Sequence, residues 1–375
     1  MKKENIICNR CVMDSTIPNI TFDSKGICSE CTKYFDKLKA APYYVGNGSE
    51  KLSKLLAEIK EKGKNNNYDC VVGLSGGIDS SYVMHLVVKN GLRPLVVHLD
   101  NGWNTEISER NIQNIISKLN LKMHSFKLDW DEFSDLQRSF LYSSTPHCEH
   151  PTDHAILGLI YKLAAENNIE YIISGSNVST EGIGVSVGSV GQRDWKYIKR
   201  VHKLYGKQKL KSYPHFTMLK MTYYKVFKKQ KTINILDYID YDKEKVMEFL
   251  KSEYGWEYYG GKHYESVYTR FFQAYILPEK FNIDKRKAHY SSLIMSKQME
   301  RKEAIEELKN NPYPRGLLEK DKAEFLEKLN LTNEEFDKIM KLPIKSFEDY
   351  PSYEKSTWYK FIKKTYMTVK PIFKF

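Results

Sequence analysis

An apolar run that halts at paired glycines constrains this chain more than any other feature. Cys70 to Leu74 reads as a buried strand and Ser75-Gly76-Gly77 as a tight turn. A helix follows, with Val83, Met84, Leu86, Val87 and Val88 apolar and Asn90-Gly91 as its stop. Glycine lets backbone N–H groups approach a ligand, and a helix start adds partial positive charge. Such a turn suits phosphate. Asp79, in the first helical turn, can hold Mg2+ against phosphate oxygens. Neither G-x-x-x-x-G-K-[ST] nor G-x-G-x-x-G describes this turn. An ordinary glycine bend is the plain alternative.

The 375 residues are enough for two or three domains. Lys and Arg number 59 against 47 Asp and Glu, a net charge of +12 that favours anionic partners such as nucleotides, sugar nucleotides or RNA. No apolar stretch approaches the ~18 residues of a membrane span. The opening Met-Lys-Lys-Glu-Asn-Ile-Ile-Cys lacks a long apolar segment behind its charges, so no secretion signal is expected there. The expected compartment is the reducing cytoplasm, where six cysteines do not normally pair.

Residues 1–41 carry Cys8-x-x-Cys11 and Cys28-x-x-Cys31, which can place four thiolates around one ion. So short a segment has little apolar core, and metal would supply much of its folding free energy. Zn2+ in a structural ribbon is the expectation, with iron or a redox pair as alternatives. Asp23-Ser24-Lys25-Gly26 reads as the turn between the knuckles. Residues 42–67 read as a linker and one helix, Lys51–Lys62, capped by Ser49.

Residues 68–190 alternate strand and helix, predicting an α/β domain with a parallel sheet covered on both faces. Strands are expected at 69–74, 94–99, 122–126 and 171–174, and helices at 80–89, 106–119 and 154–167. The carboxyl ends of these strands carry Ser75-Gly76-Gly77, Asp100-Asn101-Gly102-Trp103 and Gly175-Ser176-Asn177, so a nucleotide site is expected there. Asp100 reads equally as a turn residue. The run Thr145 to His154 is dense in His, Cys and acids. It reads as a second metal site, a Cys148 nucleophile, or a loop whose Thr152 or Asp153 caps the next helix. A substrate-facing role also stays open.

Residues 193–231 hold 13 Lys/Arg and one acid, Asp194, with Tyr197, Tyr205, Tyr213 and Phe216 between the cations. This pattern fits an RNA grip or a solvated insertion. Residues 236–375 read as mostly helical. Among their cations Lys280, Lys285 and Arg286 are candidates to clamp a departing pyrophosphate, with Arg301 a weaker one.

Ser75-Gly-Gly-Ile-Asp-Ser-Ser81 resembles the pyrophosphate loop of the PP-loop ATPases. The chain as a whole resembles the N-acetyl sugar amidotransferase family, which turns a sugar acetamido group into an acetamidino group. The resemblance rests on that loop and on Cys-Asn-Arg-Cys-Val-Met-Asp with Gly-Ile-Cys-Ser-Glu-Cys. It rests further on Pro-Thr-Asp-His-Ala-Ile and, most specifically, on Gly-Gly-Lys-His-Tyr-Glu-Ser and Asp-Lys-Arg-Lys-Ala-His. It implies a zinc ribbon at 1–41, an ATP-binding domain at 42–235 with a basic insertion, and a helical region at 236–375. It also implies ATP and Mg2+ at Ser75, Gly76, Gly77, Asp79, Ser80, Ser81, Asp100 and Gly175, with Asp79, Lys285 and Arg286 catalytic and Cys8, Cys11, Cys28 and Cys31 on zinc. The substrates implied are nucleotide-linked N-acetyl sugars of bacterial lipopolysaccharide or flagellar-glycan pathways. The partner implied is a separate glutaminase with its cyclase-like subunit, like those of histidine biosynthesis.

The residues agree with this chemistry on their own account. An amide carbon resists ammonia until its oxygen is adenylylated, and the loop can present ATP for that step. Cys70 and Cys148 sit in no nucleophile-elbow pattern, so ammonia is expected from another chain. Two other readings stay open. One is a tRNA-modifying enzyme of the thiolation type, and the other is a non-catalytic nucleotide-binding scaffold.

Overall fold

A computed structural model of the chain describes residues 5–185 and 190–357. The basic, aromatic tail beyond Thr357 lies outside them, and so does its reading. Five short strands make one parallel sheet: β1 Cys70–Gly73, β2 Pro94–Asp100, β3 Met123–Lys127, β4 Tyr171–Ser174 and β5 Lys231–Asn234. Their order is β3-β2-β1-β4-β5. The chain leaves β1 toward β2 on one side and later returns to pair β4 on the other, with Cys70 aligned to Pro94 and to Tyr171. The crevice between the ends of β1 and β4 is where such sheets bind ligands. The architecture is the α/β class expected for a PP-loop domain, joined to a four-cysteine ribbon and a helical C-terminal region.

Alternation along β1 explains the two covered faces. Val72 packs with Ile59, Met84, Tyr241 and Trp256 on one face. Val71 packs with Leu159, Ala164 and Tyr224 on the other. A third core joins Phe133 and Tyr197 to Phe271 and Phe325, so the C-terminal helices share apolar surface with the sheet domain.

Several expectations need correction. The helix expected at 154–167 runs His150–Glu166, because Pro151 suits its first turn; Thr152 and Asp153 lie inside that turn and do not cap it. Ser49 likewise falls within the helix Gly48–Gly63, which starts after Asn47. Three of the four aromatics singled out in 193–231 are not available to stack on RNA bases. Tyr197, Tyr213 and Phe216 are buried in the core, with the cations on the opposite side of the same segment. β5, at the end of that segment, went unpredicted. Local partners hold the two histidines of the loop at 145–150, while Glu149 between them lines the cavity at the sheet edge. His147 and His150 stack at 4.6 Å, His147 Nδ1 is 3.0 Å from the Tyr197 hydroxyl and His150 Nε2 is 2.7 Å from the Val190 carbonyl.

Among the described residues, the four ribbon cysteines are the only cluster of three or more His, Cys, Asp or Glu side chains whose ligand atoms converge within 4.8 Å. Cys8 and Cys31 sulfurs lie 3.9 Å apart, and those of Cys11 and Cys28 3.7 Å apart. Tetrahedral Zn–S bonds of ~2.3 Å require sulfur separations of about 3.8 Å. The donor set therefore fits zinc. Asp23 closes the intervening turn by accepting from the Lys25 and Ile27 N–H groups, both at 2.9 Å. Replacing Cys28 by Ser, or stripping the metal with a chelator, should expose residues 5–41 to protease while the sheet keeps its circular dichroism. An unchanged cleavage pattern would count against metal-dependent folding of the ribbon.

Candidate nucleotide and substrate site

Gly76 sets the site. Its φ is +79°, and a Cβ there would lie 2.4 Å from the Ser108 carbonyl oxygen. Only glycine tolerates both demands. Its own carbonyl accepts from Trp256 Nε1 at 3.0 Å and from Asn111 Nδ2 at 3.4 Å. Gly77 opens the helix Ile78–Lys89 without a capping side chain, while the N–H groups of Ser75, Gly77 and Ile78 donate to the Ser80, Ser75 and Tyr259 hydroxyls at 3.2, 3.3 and 3.3 Å. Ser75 and Ser80 hydroxyls meet at 3.1 Å and brace the bend.

A second loop lies on this turn. Tyr259 accepts from the Ile78 N–H at 3.3 Å, and a Cβ on Gly77 would sit 3.3 Å from Glu265. Residues 260–265, the Gly-Gly-Lys-His-Tyr-Glu run, thereby divide the space into three cavities. One of about 220 Å³ holds Ser75, Gly77, Asp79, Ser80 and Gly175. One of about 450 Å³ lies beyond the ends of β1 and β2 and includes Leu99, Asn101 and Asp153. One of about 600 Å³ lies on the C-terminal side, with Tyr258, Tyr264 and Arg286. His263 lines all three.

Opposite charges face each other across the smallest cavity. Burial and the neighbouring Glu181 push the Asp79 carboxyl up, although Tyr241 donates to it. Burial alone would also raise Glu181. Lys262 at 3.0 Å and His263 at 3.8 Å outweigh that and hold it low. Asp79 and Glu181 are oxygen donors of the kind Mg2+ takes. On the other wall, burial and then Lys262 lower the Lys243 ammonium. Lys243 Nζ stands 3.4 Å from His289 Nε2, and burial with Lys262 and Lys243 keeps that imidazole far below its ordinary pKa. Cations crowded this way favour a polyanion.

The sequence-derived residues divide. Ser75, Gly77, Asp79, Ser80 and Gly175 line the 220 Å³ cavity, and Gly76 shapes it from behind. Ser81 is fully buried and lines none of the three cavities. Asp100 uses its carboxylate on the Gly102 N–H at 2.9 Å, closing the turn, while Asn101 lines the cavity instead. Lys285 borders the two larger cavities and pairs with Glu149 at 3.4 Å. Arg286 is bound to Asp284 at 2.7 Å and to the Asn310 carbonyl at 3.0 Å, in the wall of the 600 Å³ cavity. Lys280 donates to the carbonyls of Ile339, Met340 and Leu342, and Arg301 to those of Cys8 and Cys11, so both serve structure.

The sequence assigns no role to Lys262, His263 and His289, and names Asp153 only as a candidate helix cap, although the runs that carry the family resemblance contain all four. Glu181 and Lys243 lie in no such run. Burial, and then Glu149, push Asp153 up to about 7. Cys70 and Cys148 are buried, and burial raises both thiols.

These features set a glycine turn at the carboxyl edge of a parallel sheet, with three cavities meeting at His263. Residues 265–366 match the family described as LPS biosynthesis protein WbpG-like, C-terminal domain, which bears out the family resemblance. The chain is 33% identical over 89 residues to the tRNA-specific 2-thiouridylase MnmA of Vesicomyosocius okutanii subsp. Calyptogena okutanii (strain HA), covering 21% of this chain and 24% of that one. The chain thus spans about a quarter of the length of that curated relative. Among solved structures, NMN synthetase from Francisella tularensis aligns at 21% identity and TM-score 0.28, over 36% of this chain and 58% of that one. The NH3-dependent NAD synthetase from Campylobacter jejuni aligns at 18% identity and TM-score 0.29, over 56% and 93%. Likenesses this distant carry no argument about function.

Replacing Gly76 by Ala should cost roughly 1–3 kcal/mol of stability, read from denaturant midpoints, because it combines a left-handed φ with a backbone clash. Asp79 makes a second, pH-dependent prediction. A carboxyl with a raised folded-state pKa binds its proton more tightly when folded, so its ionisation costs stability. That cost is absent below the unperturbed value of about 3.9 and complete above the raised one. In Mg2+-free buffer at neutral pH, Asp79→Asn should therefore melt higher than wild type, with the gain shrinking as pH falls. A variant that melts lower throughout would refute the strain assigned to Asp79.

Proposed function

We propose that this chain is an ATP-dependent amidotransferase that converts the acetamido group of a nucleotide-linked sugar to acetamidino, with ammonia supplied by a separate glutaminase. One observation carries the reading. The Gly260–Glu265 loop rests on the glycine turn, so His263 borders the phosphate-sized cavity, the cavity at the sheet edge and the largest chamber at once. ATP would place its phosphates at Ser75–Ser80 and its nucleoside beyond β2, leaving the 600 Å³ chamber for the sugar. Mg2+ bound near Asp79 and Glu181 would neutralise phosphate charge.

In this reading the amide oxygen attacks the α-phosphorus and the bond to pyrophosphate breaks. Lys243 and Lys262 stabilise the charge that leaves. Ammonia then adds to the imidate carbon, the C–O bond to AMP breaks, and the product is an amidinium. Ammonium must first lose a proton, and Asp153, with its pKa near neutrality, is suited to accept it. The four-cysteine ribbon is read as a zinc site with no open position for chemistry. The need for ATP is consistent with the cytoplasm.

Thiolation of tRNA fits less well. Sulfur transfer needs an accessible thiolate, and both cysteines outside the ribbon are buried with raised thiols. With ATP, Mg2+, ammonium and a panel of nucleotide-linked acetamido sugars, AMP and an amidine should appear together. Lys243→Ala should lower kcat roughly 100-fold. AMP formation with none of the sugars would overturn the proposal, and thiolated tRNA would replace it.

A further inference from the structure

The helix Met218–Val226 is inverted relative to an ordinary surface helix. Tyr224 is its only buried residue. Leu219, Tyr223, Val226 and the adjoining Phe227 are 71%, 46%, 61% and 73% exposed. At positions i, i+4, i+7 and i+8 they fall on one face, directed away from the core. The Tyr223 and Phe227 rings stack at 5.8 Å and make a joined apolar ridge. Contiguous exposed apolar surface of this kind marks an interaction site.

Four lysines share this segment: Lys220 lies beside the ridge and Lys229 just past its end, while Lys225 and Lys228 turn back toward Arg193 and Asn168. Lys220 lies over the Tyr224 ring at 6.0 Å, Lys228 reaches Asn168 at 3.2 Å, and none of the four pairs with a carboxylate among the described residues. Burial and Arg193 lower the Lys225 ammonium, so positive charge is crowded here as well.

From this geometry we infer that the face Leu219–Lys229 docks the protein on an anionic lipid surface, with the ridge entering the headgroup region and the lysines on lipid phosphates. An apolar strip flanked by cations is the pattern of helices that lie in a membrane interface. A second copy of this chain would bring like charges together. Nucleic acid offers no apolar partner for Leu219 and Val226. Protein interfaces are enriched in Arg and depleted in Lys, whereas all four cations here are Lys.

The test uses the full chain with vesicles of phosphatidylcholine alone or mixed with phosphatidylglycerol, read by co-sedimentation. Wild type should bind the anionic vesicles at low salt, bind neutral ones poorly, and lose much of its binding as salt rises. Leu219→Ser with Phe227→Ser should weaken binding at least tenfold without lowering Tm, since both side chains are exposed. Lys220→Gln with Lys225→Gln and Lys229→Gln should flatten the salt dependence. Equal sedimentation of wild type and the double serine variant would overturn the inference. So would a failure to bind anionic vesicles, or a stoichiometric complex with one purified protein that the serine variant loses.

Discussion

The hydrogen bond from Trp256 to the Gly76 carbonyl holds the candidate site together. At 3.0 Å it ties the second loop to the glycine turn, while the Ser108 backbone occupies the space a Cβ on Gly76 would need. Three elements thereby meet at one residue without a side chain: the start of the helix Ile78–Lys89, the helix Glu106–Lys118 and the segment leading into Gly260–Glu265. Asn111 reinforces the junction by also joining the Glu257 backbone, at 2.8 and 2.7 Å. Burial of these polar partners makes each bond costly to lose. Without the junction nothing separates the three cavities.

Like charges crowd both sides of that junction. Asp79 is raised because a buried carboxylate faces another, and Lys243 is lowered because a buried ammonium faces another. Each pair would be relieved by the opposite charge. A divalent cation carrying a polyphosphate supplies both at once, whereas a lone anion or cation relieves one side only. Lys262, bound to Glu181 and near Lys243, couples the two sides, so filling one changes the demand of the other.

Sequence pattern reached the sheet but not the whole site. β4 was read at its observed limits and β1 and β2 within a residue, because buried parallel strands are near-continuous apolar runs, and edge strand β3, Met-His-Ser-Phe-Lys, also fell within a residue of its expected range. β5 escaped because Lys231-Thr-Ile-Asn234 carries a single apolar residue at a sheet edge. The loop residues Ser75 to Ser80 were legible because glycine spacing before a helix has a local cause. Glu181 and Lys243 were not, since their meeting with Asp79 depends on how distant segments fold back across the sheet. Arg286 and Asp100 show the converse. Each was suggestive by type and position, and each is engaged by a local partner, Asp284 or the Gly102 N–H.

The ribbon connects to this site through the helix Lys285–Met295. Val12 donates to Ser291 at 3.2 Å, Lys287 pairs with Asp14 at 2.6 Å, and Cys31 approaches Met295 at 3.8 Å. From the other side, Ile183 donates to Ser292 at 2.9 Å. The helix that carries Lys285, Arg286 and His289 is thus clamped between the knuckles and the segment following Glu181. A metal held by the four cysteines would stiffen the short segment that supports the back of the 600 Å³ cavity. Sequence spacing alone made the four cysteines look like an independent module. The contacts make them the buttress of the wall on which His289 and Lys285 stand.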